Sequence, residues 1–261
     1  MTEAARRRIV RVNPVLAVGS KFAKYAPETE RDVRVPEITV DRALARLRKV
    51  WDRYVRACSL DPNKPGSLLS ETWDDEKDRH PYRLAMILLE DVKYPARAVE
   101  QFSILIPEFQ GPECFSRMAG YFLTALVNNG RNFDYVLHTK HYGFAVSEIG
   151  TQNSKRIIVD GDVGNLAGTD MRSGRLLING NADDSLGCAM KGGIIIINGN
   201  ATEGVGSEME GGTIIVKGNA DRGVGFRMMG GEIHLEGDYK SLDEDIKGGK
   251  IYHKGKLIVD K

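Results

Sequence analysis

Six glycines, Gly161, Gly180, Gly199, Gly218, Gly237 and Gly255, each follow a short apolar run, at intervals of 19, 19, 19, 19 and 18 residues. A short fixed period marks a solenoid, in which a unit cannot bury its apolar face alone and does so by stacking on the next. The runs read Ile157-Ile158-Val159, Leu176-Leu177-Ile178, Ile195-Ile196-Ile197, Ile214-Ile215-Val216 and Ile233-His234-Leu235. Each is too short for a helix, and its β-branched and aliphatic residues suit a strand. Residues 156–260 are therefore expected to form six coils of a right-handed parallel β-helix, with 18–19 residues per coil.

The residue after the corner glycine is Asp162, Asn181, Asn200, Asn219 or Asp238, whose side chains can stack on their copies and hydrogen-bond along the rod. The glycine itself is expected to supply positive φ at the corner. A second glycine stands seven residues on, at Gly168, Gly187, Gly206 and Gly225, and Gly-Gly pairs close the coils at 192–193, 211–212, 230–231 and 248–249. Val163, Ala182, Ala201 and Ala220 form one column, and Met171, Met190, Met209 and Met228 form another. Each Met would lie about 4.8 Å above the last, the spacing of strands in a sheet. This pattern reads as a core column of adaptable side chains, not a cofactor box.

Alternation along a strand adds a functional expectation. If Ile157 and Val159 face inward, Ile158 faces outward, and so do Leu177, Ile196, Ile215 and His234, with Tyr252 continuing the line. Covering the four aliphatics of that stripe is worth about 1.5–3 kcal/mol each. Either the N-terminal half of the chain covers them or a partner subunit docks there.

The stretch from Gly199 to Val216, with its Gly-Asn corner, Gly-Val-Gly, Met209 and Gly-Gly closure, resembles the GXGXG repeat. That repeat forms the C-terminal β-helix of the glutamate synthase large subunit and most of the β-helical subunit of formylmethanofuran dehydrogenase. The Met before Gly-Gly is closer to the second. The resemblance covers about residues 156–250 and implies a non-catalytic scaffold or assembly element that joins redox-enzyme partners. It implies no cofactor in this chain, and a partner that carries a molybdenum or tungsten pterin, a flavin or an iron–sulfur cluster.

Residues 1–150 read as a mainly α-helical domain, ahead of a β-helical domain at 151–261. In Thr39–Cys58, Leu44, Leu47, Trp51, Tyr54 and Cys58 make one apolar face, with Thr39 as N-cap and Asp41 in the first turn. The opposite face carries Arg42, Arg46, Arg48, Lys49, Arg53 and Arg56 against only Asp41 and Asp52, and an acidic run with Glu71, Asp74, Asp75, Glu76 and Asp78 follows. The two read as solvated surface or an internal pairing, with docking of an anionic partner on the helix as the functional alternative. Further helices are expected from Pro81 through Leu89, over Arg97–Ile106, and from Pro112 to about Asn128. Strands are expected at Phe133–His138 and Phe144–Ile149.

Other chemistry has weaker support. The net charge is +1, so no global field draws the chain to nucleic acid or membrane. Cys58, Cys114 and Cys188 are odd in number and far apart, which argues against a disulfide framework. Cys188 falls in the column of Thr169, Ser207 and Phe226 and reads as a core thiol. His138 and His141 are the one close histidine pair, and on a strand they would face opposite sides. Gly204-Val-Gly206 and Gly223-Val-Gly225 lack the spacing of a nucleotide loop. No apolar run is long enough for a membrane span or reads as a signal segment, so a cytoplasmic protein is expected. Two alternatives stay open. One is a stand-alone enzyme using His138, His141 or acidic side chains between the halves, and the other is a polyanion-binding module using the basic helix.

Overall fold

Seven parallel strands, stacked in chain order, build the rod: β1 (Asp134–His138), β2 (Arg156–Asp160), β3 (Arg175–Ile178), β4 (Ile194–Ile197), β5 (Thr213–Val216), β6 (Glu232–Leu235) and β7 (Lys250–His253). An eighth, β8 (Lys256–Asp260), turns back and pairs antiparallel with β7. The computed structural model describes residues 42–59, 80–109 and 114–261, all within one compact unit, Val40–Lys261. The expected helical region followed by a parallel β-solenoid is what is found. Ile157, Leu176, Ile195, Ile214, Ile233 and Ile251 stack inward in register, each at most 1% exposed. Beside them, Val163, Ala182, Ala201, Ala220 and Tyr239 pair coil to coil through single parallel bridges.

Gly161 has the expected positive φ (141°), but the four corner glycines after it serve another purpose. Gly180, Gly199, Gly218 and Gly237 do not have positive φ. A Cβ on any of them would lie 2.3–2.6 Å from backbone or side-chain atoms of the coil before, such as the Gly180 carbonyl oxygen 2.4 Å from Gly199. Close backbone approach, not turn geometry, requires glycine there. The neighbouring Asn and Asp residues do form a ladder. Each side-chain oxygen accepts the backbone N–H one coil on: Asp162 from Asn181 (2.6 Å), Asn181 from Asn200 (2.9 Å), Asn200 from Asn219 (2.8 Å) and Asn219 from Asp238 (2.8 Å).

Left-handed backbone instead recurs at the glycine columns of Gly168 and Gly193 and at two columns that admit other residues. One holds Glu148, Leu166, Ser185, Gly204 and Gly223, and the other Gln152, Asp170, Ala189, Glu208 and Arg227. A side chain in that conformation costs roughly 1–2 kcal/mol. All but the last turn of each column aim an N–H at the next coil, as when Ala189 donates to Ser207 (2.8 Å) and Glu208 to Phe226 (2.7 Å). The Met column is buried as expected, and it has a partner that periodicity did not disclose. A Cβ on the second glycine of each pair would meet a Met methyl of the preceding coil: Gly193 and Met171 at 2.9 Å, Gly212 and Met190 at 2.7 Å, Gly231 and Met209 at 2.6 Å, Gly249 and Met228 at 2.5 Å.

Both ends of the rod depart from the repeat. The first coil starts at Asp134, ahead of the boundary expected near 150, and Asp134 pairs with Arg156, 22 residues on. Thr139 stands where a corner glycine would be, opposite Gly161. Phe144–Ile149 is a turn, not the expected strand, and only Val146 bridges to Val163. Gly255 belongs to a hairpin turn in which Lys254 also has positive φ, and Lys256–Asp260 turns back on β7, the sixth parallel strand of the repeat.

The helices are α1 (Arg42–Ser59), α2 (Pro81–Leu89), α3 (Ala96–Leu105) and α4 (Phe115–Asn129), with a short 3-10 turn at Ile106–Glu108. Thr39, Asp41, the acidic run and Pro112 lie outside the described residues. Trp51 of α1 meets Phe102, Phe109, Phe115 and Phe122 at ring-centroid distances of 5.1–6.1 Å. This cluster runs on through Tyr135, Leu137, Val146 and Ile149 into the rod interior. The helices thus cap the open end of the first coil. On α4 the stripe Ser116, Gly120, Thr124 and Asn128, at intervals of four, touches the backbone of 145–151. Ser116 donates to the Ala145 carbonyl (2.6 Å) and Asn128 to the Thr151 carbonyl (3.1 Å), as a further coil would.

Candidate functional site

The expected outer stripe is in register across β2 to β6, but its members differ in exposure. Ile158 is 39% exposed, whereas Leu177 (6%), Ile196 (1%), Ile215 (1%) and His234 (4%) are buried within the single chain. Only Ile158 stays open to a partner. The His234 ring stacks on Tyr252 at 4.5 Å, and its Nε2 is 3.1 Å from Glu232.

The junction between helices and first coil gathers two buried titratable clusters. His138, on β1, is 2% exposed and lies between carboxylates from two other elements. Its Nδ1 is 3.4 Å from Asp160 of β2, and its Nε2 is 3.2 Å from Glu100 of α3. Burial alone would lower the imidazole, but the two carboxylates outweigh it and raise the pKa to about 9. Both ring nitrogens then donate, and Asp160 is held below its usual range chiefly by the His138 hydrogen bond. The His138 backbone N–H donates to Ser103 on α3 (3.0 Å), fixing the same contact a second way. His141 faces elsewhere, with its Nε2 2.9 Å from the Ile104 carbonyl. The two histidines do not converge, and among the described residues no group of three or more His, Cys, Asp or Glu could hold a metal ion.

Glu148 sits in the left-handed column and is 2% exposed. Burial pushes its carboxyl up to about 7, while Tyr121, Arg117 and Thr151 pull it down. Arg117 Nε is 3.9 Å from one carboxylate oxygen, and the Thr151 hydroxyl donates to the other at 3.3 Å. His80, at the N-cap of α2, packs edge-on against the Tyr121 ring at 4.9 Å. A proton can be held or released here near neutrality, but no substrate atom reaches so enclosed a carboxyl. Sequence reasoning missed this cluster; its one signal was the four-residue spacing of polar and small residues on an otherwise apolar α4.

Cys58 and Cys188 are poor nucleophiles. Burial pushes Cys188 up to about 11 and Cys58 up to about 12. Cys188 occupies the position where Thr169 and Ser207 donate to the carbonyl three residues back (2.8 and 2.7 Å). An open cleft of about 470 Å³ lies between the ends of α2 and α4, lined by Glu90, Asp91, Lys93, Tyr94, Asn129 and Arg131. No helix among the described residues is long and apolar enough to cross a membrane. No protein-family model matches the chain, and no curated protein matches it.

Proposed function

We propose that the chain is a non-catalytic scaffold or assembly subunit that joins redox-enzyme partners, as its GXGXG-like repeats imply. The observation that carries this reading is how the recurring residues are used. Met, Gly-Gly, corner glycine and Asn or Asp all contact the adjacent coil. Side chains engaged in that way make a stiff support. On this reading a pterin, flavin or iron–sulfur cluster resides in the partner.

Native mass spectrometry of the tagged protein, drawn gently from its own cells, tests the proposal. The expected result is a fixed-stoichiometry hetero-complex containing a subunit with one of those cofactors. A lone chain or homo-oligomer overturns it.

A further inference from the structure

Five cations on α1, Arg42, Arg46, Lys49, Arg53 and Arg56, are all exposed. They follow one another at intervals of 4, 3, 4 and 3 residues. At about 100° and 1.5 Å per residue they occupy roughly 80° of arc and a line about 21 Å long. That line lies opposite Leu44 and Trp51, which are 1% and 2% exposed in the core. None of the five has an ion-pair partner among the described residues; the one α1 cation that does is Arg48, 3.4 Å from Glu108. Asp52, the exposed acid of the helix, falls outside the arc.

We propose that this stripe is the docking site for an acidic helix of a protein partner, an inference that rests on the scaffold reading and names its contact. The 4-3 spacing matches carboxylates at the same spacing on a helix lying alongside, so successive pairs form along both axes without either helix distorting. Arginine, which supplies four of the five cations, meets a carboxylate through two parallel hydrogen bonds. A membrane is disfavoured because the apolar face is already buried and none is left to insert. A nucleic-acid strand is disfavoured because the α1 aromatics, Trp51 and Tyr54, are buried where no base can stack.

The test uses the full chain and a fluorescent 21-residue helical peptide with Glu spaced 4-3-4-3. Anisotropy titrations at 50 and 200 mM salt compare it with a peptide of the same composition but scrambled spacing, a single-stranded oligonucleotide, and phosphatidylserine vesicles. The matched peptide should bind at least tenfold more tightly than any of the three. R46E/K49E/R53E should lose that binding with an unchanged circular dichroism spectrum, and R46Q/K49Q/R53Q should lose most of it. Equal binding of the scrambled peptide, tighter binding of oligonucleotide or vesicles, or no binding overturns the proposal. A hetero-complex from cells without peptide docking would remove the stripe and keep the scaffold; docking by a chain found alone would do the reverse.

Discussion

Gly120 of α4 approaches Ser147 so closely that a Cβ there would lie 1.6 Å from the Ser147 carbonyl oxygen. Four residues on, the Thr124 hydroxyl donates to the Glu148 carbonyl (3.2 Å) and accepts the Gly150 N–H (2.9 Å). The helix is thus seated on the first coil at hydrogen-bond distance, with no room for a methyl group. Gly120→Ala should destabilise the protein by about 3 kcal/mol or more. Calorimetry should then show a melting temperature lower by roughly 6–12 °C. An unchanged transition would mean that the helix is not held there.

His138 and Glu148 set the response to pH. The raised folded pKa of His138 gives stability that is complete below about 6.5 and is lost as pH rises through about 9. The raised folded pKa of Glu148 acts in a lower window. The folded state keeps a proton that the unfolded chain releases near 4.5, so stability falls as pH rises toward about 7. Each contribution is at most about 3 kcal/mol. Denaturant titrations from pH 5 to 10 should show declining stability. His138→Gln should flatten the upper part of that decline and Glu148→Gln the lower part.

Met209 and Gly231 should behave as a coupled pair. Met209→Ala removes a buried side chain and should cost about 2–5 kcal/mol. Gly231→Ala places a Cβ 2.6 Å from the Met209 methyl, at φ 88°. The second substitution should cost about 1 kcal/mol less in the Met209→Ala background. Strict additivity in a double-mutant cycle would dissociate the two columns.

The β7–β8 hairpin closes the far end. Tyr252 pairs with Leu257 and His253 with Lys256, and a register shift between Ile251 and Tyr252 breaks the regularity of that edge. Bulges and lysines are common means of keeping an edge strand from recruiting another chain. Removing residues 256–261 bares the straight edge of β7, and light scattering should show association at concentrations where the full chain stays dispersed.

Periodicity was enough to place the strands, because a stacked coil must repeat its inward aliphatics at a constant interval. It was silent about causes. Gly199 and Gly193 look alike in sequence, yet one is needed for close backbone approach and the other has φ 89° with the Met171 methyl beneath it. The first coil was hidden because Thr139 replaces the corner glycine and its interval is 22 residues. That Leu177, Ile196, Ile215 and His234 are covered within the chain while Ile158 stays open was not legible, because alternation says which way Ile196 points but not whether solvent reaches it. Glu148 was invisible because its partners Tyr121 and Arg117 come from a helix far upstream.

The backbone bonds between coils, such as Ala182 to Asn200 and Ala201 to Asn219, both 2.9 Å, lie along the rod axis. Tension applied between its ends therefore loads successive coil junctions in series, and the weakest one carries the whole force. The rod would yield a coil at a time, each peeled turn releasing slack before the next is strained.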